Sequence, residues 1–397
     1  MNTNEPISLF KDVERRATNL SLNGAVHPFA WHQNIDGCLS DTQIEARRQH
    51  LKQLSVDDYV AEALEPAEAA SRPSAKEVIS KIRGKIHSEF ELGPLYSVDL
   101  ELEHNGKVRR VGIIAQDRSV ANGVWKPEHH LEACRIASGF SCRSIPIITF
   151  MDTPGADAGT EANENNQAHS ISRLIAVMAA VKVPTIGIIY GLGYSGGAIP
   201  LATTNVVLSV RYGAFNTIQP KGLASIARQY NLSWQESARY VGVSPSELYR
   251  NGVIDGIIDW DPSDGKEALT ENSKLVSAIF SGINEIETNA KNEVLENTLV
   301  SEDYLDNVRS EKLHKPQLDA LQEAANFELC SEVSEYPNVY SHALSYLRSL
   351  AMRCRIRSAT IETYGRLADE EIPKGDLETR TLQQRKQAFG AWLSNPE

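Results

Sequence analysis

Cysteine is scarce in this sequence and follows no ligand or disulfide pattern. The five cysteines stand at 38, 134, 142, 330 and 354, and no two of them form a C-x-x-C pair. Such sparse spacing excludes a disulfide framework and a zinc ribbon. It is typical of a reducing compartment, so we expect a cytoplasmic protein without a metal site.

Long apolar runs and an excess of basic residues are also missing. Gly, Pro or Asn interrupts every apolar stretch before the roughly 20 residues that a membrane span needs. The first residues, MNTNEPISLFKDVERR, lack the apolar core of a signal peptide. The formal net charge of −12 disfavours nucleic acid binding, which depends on neutralising phosphates with Lys and Arg. We therefore expect neither a membrane nor a nucleic acid as partner.

What is present is a globular composition, with 41% hydrophobic and 23% charged residues. Its patterning predicts three regions: a helical N-terminal segment over 1–95, a central domain over 96–265 and a helical C-terminal extension over 266–397. Within the first region, the stretch KEVISKIRGKIHSEF (76–90) predicts an amphipathic helix.

The central region alternates between β-branched runs and a helical pattern. The runs KVRRVGIIAQD, SIPIITFMD, VPTIGIIYG and TNVVLSV are typical of strands buried on both faces. Between the second and third, apolar residues from Ile171 to Val181 recur with helical spacing. This alternation predicts βαβ units and a largely parallel α/β sheet, which NGVIDGIIDWDP (251–262) closes as a last short strand.

Three arginines cluster in RCRIR (353–357) of the C-terminal region. We interpret this cluster as the solvated or partner-facing surface of a helix. Phosphate binding is the alternative, because clustered cations attract anions.

Two glycine-rich turns each follow a predicted strand directly. DTPGADAG (152–159) comes after IPIITFM, and GLGYSGG (191–197) comes after PTIGIIY. Gly155 and Gly196 are 41 residues apart, about one helix and one strand, so the turns should lie side by side at the carboxyl ends of parallel strands. Their backbone N–H groups could hold an oxyanion.

The second turn also spells G-x-S-x-G around Ser195, the nucleophile elbow of α/β-hydrolases. That reading requires an acidic residue and then a histidine downstream. The downstream histidines, His314 and His342, lie in polar helical stretches instead of a loop after a strand. We therefore favour the main chain of this turn over the Ser195 hydroxyl as its functional part.

Four blocks in order resemble the carboxyltransferase α subunit of bacterial acetyl-CoA carboxylase, a branch of the crotonase superfamily. They are IPIITFMDTPGADAG with the following ENNQ, VPTIGIIYGLGYSGGA, QPKGLASI and NGVIDGIIDWDP. The resemblance covers roughly residues 96–262. The resemblance implies a ClpP/crotonase-like ββα superhelix core, flanked by the two helical regions.

The resemblance further implies a biotin-dependent acyl-CoA carboxyltransferase of fatty acid biosynthesis, converting acetyl-CoA to malonyl-CoA. Its carboxyl group would come from carboxybiotin on a carrier protein. A second, β-type subunit would complete the site, so that the chain works in a hetero-oligomer.

Carried onto this sequence, the resemblance assigns the catalytic oxyanion hole to the backbone of Gly196 and Gly197. Gly155 and Ala156 would shape the first turn and contact substrate. The remaining substrate-binding candidates are Gly193, Tyr194, Ala198 and Lys221. For Lys221, the alternative to binding a CoA phosphate or a carboxylate is an ordinary exposed lysine.

Several positions depart from the family pattern. Leu192 and Tyr194 stand where the family has an acid and a glycine, and Lys221 replaces a glutamate. In crotonase-type hydratases, the positions of Ile199 and Lys221 carry the two catalytic carboxylates, so their absence disfavours water addition. A biotin-independent malonyl-thioester decarboxylase and a non-catalytic CoA-binding or scaffolding paralogue stay open as alternatives.

Overall fold

A mixed sheet of eight strands organises the described part of the chain. The computed structural model describes residues 35–82, 84–226, 233–264 and 272–299, together with seven residues between 344 and 355. The strands are β1 (Ile86–Leu92), β2 (Leu95–His104), β3 (Lys107–Gln116), β4 (Ile147–Thr153), β5 (Thr185–Tyr194), β6 (Val206–Ser209), β7 (Ala214–Asn216) and β8 (Gly256–Ile257).

The strands follow the order β1-β2-β3-β4-β5-β6-β8, and β7 pairs with the end of β5. The first three strands are antiparallel, whereas β3, β4, β5, β6 and β8 run parallel. Every residue of β4 and of β5 is buried, as parallel strands covered on both faces require. The predicted α/β class with a largely parallel sheet is therefore confirmed, including its short closing strand.

Helices cover both faces of the sheet. They are α1 (Asp41–Gln53), α2 (Val56–Ala63), α3 (Glu65–Glu68), α4 (Ala75–Ile82), α5 (Pro127–Cys142), α6 (Thr160–Glu164), α7 (Gln167–Ala180), α8 (Ser195–Ala198), α9 (Pro220–Ile226), α10 (Trp234–Val241), α11 (Pro245–Arg250) and α12 (Ser273–Leu299). Apolar side chains of α4 and α12 pack on one face, and those of α5 and α7 pack on the other. None of the helices in the described ranges is both long and apolar enough to span a bilayer.

The helix predicted over 76–90 is only half correct. Helix α4 ends at Ile82, and the residues from Ile86 onward form β1, which pairs antiparallel with β2. The dipeptide Gly93-Pro94 makes the connection, and Gly93 takes a φ of +52°, so a hairpin replaces the second half of the helix. The region predicted as helical over 1–95 thus includes an edge strand.

The C-terminal region contributes side chains to the core. Helix α12 lies in the extension predicted as helical, and its apolar side chains share one hydrophobic cluster with Leu344 and Leu347. The first 34 residues and most of the predicted extension beyond 299 lie outside the described residues.

The solvated interpretation of RCRIR is wrong for Arg355. Its side chain is 8% exposed and forms an ion pair with Asp255, whose side chain is 1% exposed. The guanidinium also donates to the carbonyl oxygens of Thr204, at 2.8 Å, and Asn205, at 2.7 Å. Asp255 in turn accepts from the Val207 N–H of β6, at 2.7 Å. Arg355 thereby ties the C-terminal region to β6.

We expect Arg355→Met to lower the free energy of unfolding by about 3 kcal/mol, because it leaves the buried Asp255 without its counter-ion. Arg135→Met is the matched control, since Arg135 is 69% exposed and pairs with Glu132 within one helix. Such a surface pair contributes about 0–1 kcal/mol. Urea unfolding of both variants measures the difference, and equal midpoints would show that the Arg355 ion pair is not structural.

Candidate functional site

The first glycine turn follows β4 and is fixed by local hydrogen bonds. Gly155 adopts a φ of +143°, a conformation that favours glycine. Its N–H donates to the Thr153 hydroxyl at 3.2 Å, and that hydroxyl donates to the Gly155 carbonyl at 2.8 Å. Further along, the Asp157 N–H and the Gln167 side-chain amide both donate to the Trp125 carbonyl. The turn is therefore held from the buried residue Trp125 as well as from its own strand.

The second turn joins β5 to the short helix α8. Gly193 lies in β5, where it pairs with Thr153 of β4 and Phe215 of β7. Ser195 opens the helix with a φ of +57°, unusual for a residue with a side chain. Gly196 and Gly197 lie in the first helical turn, where backbone N–H groups have no acceptor within the helix.

The two turns are in direct contact. A Cβ placed on Gly197 would lie 2.6 Å from the carbonyl carbon of Gly155 and 2.8 Å from the nitrogen of Ala156. Only glycine at position 197 allows this approach. The structure thus brings together Gly155, Ala156, Gly196 and Gly197, and the fully buried Ala198 follows in the same helix.

A buried ion pair lies behind both turns. Arg72, from the connector between α3 and α4, contacts Asp152 of β4 at 2.8 Å, and their side chains are 3% and 1% exposed. Burial would lower the pKa of Arg72, but the Asp152 carboxylate outweighs this effect and raises it. Asp152 also accepts the Leu192 N–H at 3.2 Å. This carboxylate therefore has a structural role and is not available as a base.

Leu192 and Tyr194 point into a separate hydrophobic cluster. Their side chains are 4% and 3% exposed and pack with residues of α2 and α3, among them Tyr59 and Val60. Burial raises the pKa of the Tyr194 hydroxyl. The two departures from the family pattern thus anchor the N-terminal helices, and a substrate contact at Tyr194 would have to come from its main chain.

Lys221 lies on α9, at the border of the first turn. Its Nζ is 5.2 Å from the centre of the Trp234 ring, a cation–π distance. The neighbouring Gln219 donates from its side-chain amide to the Pro154 carbonyl. The structure therefore places an exposed Lys221 two residues after the contact between Gln219 and the first turn.

His130 is a residue of this site that the sequence does not reveal. It is fully buried in α5, with its ring edge against Trp125, and Nδ1 lies 3.1 Å from the Lys126 carbonyl. Burial lowers its pKa to about 4, although the backbone of Lys126 and that of Gly196 act in the opposite direction. The ring is thus neutral at pH 7 and lies beside the second turn.

Metal ligation is not indicated in the part of the chain that the structure describes, where no three His, Cys, Asp or Glu side chains converge. The histidines of the hydrolase alternative, His314 and His342, lie outside the described residues. What the site offers is a set of backbone donors at two touching turns.

Comparison with known proteins supports the resemblance seen in the motifs. Residues 112–302 match the family described as Acetyl co-enzyme A carboxylase carboxyltransferase-like. The acetyl-coenzyme A carboxylase carboxyl transferase subunit alpha of Nitrosomonas europaea is 38% identical over 136 residues, which are 34% of this chain and 42% of the relative. The subunit of the same name from Ruthia magnifica is 28% identical over 304 residues, which cover 74% of this chain and 91% of the relative.

Two solved structures overlap part of the fold. Transcarboxylase 12S aligns with a TM-score of 0.45 and 19% identity, over 58% of this chain and 42% of that one. The β subunit of P. aeruginosa geranyl-CoA carboxylase aligns with a TM-score of 0.43 and 15% identity, over 59% and 45%. The residues that match the acetyl-CoA carboxylase carboxyltransferase-like family, 112–302, include both glycine turns.

Proposed function

We propose that this chain is a carboxyltransferase subunit that moves a carboxyl group from carboxybiotin to acetyl-CoA. The observation that carries the proposal is the contact between Gly197 and the Gly155–Ala156 peptide, which joins two backbone turns into one donor surface. Biotin that has given up its carboxyl group and a deprotonated thioester both carry negative charge on an oxygen atom, and fixed N–H groups stabilise such atoms.

The N–H groups of Gly196 and Gly197 are the donors that we assign to the oxyanion. They lie in the first turn of α8, and the adjoining Gly155–Ala156 peptide lines the same surface. Because these groups are fixed by the fold, they need no reorganisation when charge develops. Gly193 and the main chain of Tyr194 would border the bound acyl group, and Ala198 would support the helix from the core.

The chain supplies no carboxylate where a hydratase would need one. Ile199 packs at the edge of the hydrophobic cluster under α5 and α7, and Lys221 lies over Trp234. Asp152, the carboxylate behind the turns, is neutralised by Arg72. We therefore assign the α-proton of the acyl-CoA to a group that arrives with the substrates, which favours carboxyl transfer over water addition.

The donor set fits the two substrates that the family implies. Peptide N–H groups match the ureido oxygen of biotin and the carbonyl oxygen of a CoA thioester, both of which are hydrogen-bond acceptors. When bound, carboxybiotin supplies the carboxyl group. We assign Lys221 to the CoA side, where an exposed cation would attract a phosphate.

The reaction forms two oxyanions, and a partner chain would supply the donors for the second one. Carboxyl transfer develops charge on both biotin and the thioester, and the described residues hold one pair of touching turns. We propose that a β-type subunit supplies the second set of donors, and that a biotin carrier protein delivers the carboxyl group.

Reconstitution tests this function. We expect the purified chain, mixed with its β-type partner, free biotin and malonyl-CoA, to form acetyl-CoA in a biotin-dependent reaction. Acetyl-CoA formation is followed by chromatography, and each protein alone is the control. Turnover without biotin would identify a decarboxylase instead, and CoA binding without turnover would identify a non-catalytic paralogue.

Gly197→Ala should lower kcat about 10²-fold or more, because the added methyl group separates the two turns and misplaces a donor. Gly139→Ala is the matched control. Gly139 lies within helix α5, and a Cβ added there meets no atom within 4 Å. That change should leave kcat intact and stabilise the helix by roughly 0.5–1 kcal/mol. Equal kcat values in the two variants would show that the contact between the turns does not contribute to catalysis.

A further inference from the structure

Gln116 is a buried polar residue that connects the two glycine turns from a third strand. It ends β3, and its side chain has no exposure to solvent. Its Nε2 donates to the Gly197 carbonyl at 2.8 Å, and its Oε1 accepts the Asp152 N–H at 3.1 Å. One amide therefore contacts the strand end that precedes the first turn and the helix that forms the second.

The side chain of Gln116 takes over where main-chain pairing stops. The parallel pairing of β3 with β4 ends at Ala115 and Phe150. Two residues later, the Asp152 N–H is satisfied by the Gln116 side chain instead of a strand carbonyl. This exchange keeps the end of β4 anchored to β3 beyond the last paired residues.

The Gly197 carbonyl needs a donor from outside its helix. Helix α8 ends after Ala198, and the Leu201 N–H donates to the Ala198 carbonyl at 2.9 Å, not to Gly197. A buried carbonyl without a donor would be costly. Gln116 provides that donor and so fixes the orientation of the peptide that follows Gly197.

The N-terminal end of the second turn, at Leu192, is also held by a buried polar group, the Asp152 carboxylate. Asp152, whose N–H binds Gln116, accepts the Leu192 N–H and the Arg72 guanidinium on its carboxylate. Leu192 and Gly197 therefore bracket the turn, and both are bound by one connected set of polar groups. Displacing Gln116 would release the turn at its catalytic end while leaving Leu192 in place.

We propose that Gln116 is a positioning residue, which fixes the position of the Gly197 carbonyl, and with it the backbone of α8, relative to the first turn. It acts through the backbone and does not touch the reacting atoms. This inference rests on the proposed carboxyltransferase function, since Gly197, the residue that Gln116 holds by its carbonyl, also supplies one of the oxyanion donors assigned above.

The test compares Gln116→Met, which keeps the length of the side chain and removes both hydrogen bonds, with Gln116→Glu. In the reconstituted transfer reaction, we expect Gln116→Met to lower kcat roughly tenfold, while KM for the acyl-CoA changes less than twofold. Gln116→Glu should match the Met variant at high pH and recover activity as pH falls, because a protonated carboxyl group can again donate to the Gly197 carbonyl.

Thr149→Val is the matched control for lost buried hydrogen bonds. The Thr149 hydroxyl donates to the Leu201 carbonyl at 2.6 Å, just beyond α8, and is equally buried. This variant should lose stability but keep kcat. Hydrogen exchange of the peptide that covers 191–199, read by mass spectrometry, should accelerate in Gln116→Met and not in Thr149→Val.

These measurements test the role of Gln116 and the carboxyltransferase function independently. A wild-type chain that transfers carboxyl groups while Gln116→Met keeps its kcat would overturn the role of Gln116 and leave the proposed function standing. Absence of transfer in the wild type would overturn the function, and exchange at 191–199 would still decide whether Gln116 holds the turn. If the Met variant does not fold, a pH-independent kcat in Gln116→Glu overturns the positioning role.

Discussion

The contact of Gly197 with the Gly155–Ala156 peptide is the constraint on which the site depends. It requires two adjacent parallel strands that end at the same level, and β4 and β5 meet this requirement through an unbroken pairing from Ile147 to Met151. It also requires that both turns keep a fixed position relative to each other. The Thr153 hydroxyl donates to the Gly155 carbonyl on one side, and the Gln116 amide donates to the Gly197 carbonyl on the other. These bonds hold the contacting backbone segments in a fixed position.

A position that carries no side chain has to be controlled by its neighbours. Around the turns, the controlling groups are buried and polar, and they come from β3, β4 and the connector before α4. The carboxylate among them is charge-balanced, and His130 is kept neutral by burial. The peptide N–H dipoles in the first turn of α8 therefore add positive potential next to groups that are neutral or charge-balanced.

Both turns were predictable because glycine after a β-branched run is a local signal, and because neighbouring parallel strands place their ends together. The residues that support the turns could not be predicted from the sequence. Gln116 and Gly197 are 81 residues apart, and nothing around either position indicates the other. Arg355 shows the same limit, since a basic cluster resembles a solvated surface until its partner Asp255, 100 residues away, is known. Hairpin formation at Gly93 likewise depends on pairing with β2, which helical periodicity over 76–90 does not register.

Leu192 and Tyr194 link the turn to the N-terminal helices, and Arg72 adds a charge that Asp152 needs. A fragment starting near residue 96 would expose two large apolar side chains and leave a buried carboxylate without its counter-ion. The glycine turn and the segment from α1 to α4 therefore form one packed unit. In such a unit, the lead-in helices cannot be exchanged between relatives without also exchanging the residues at 192 and 194.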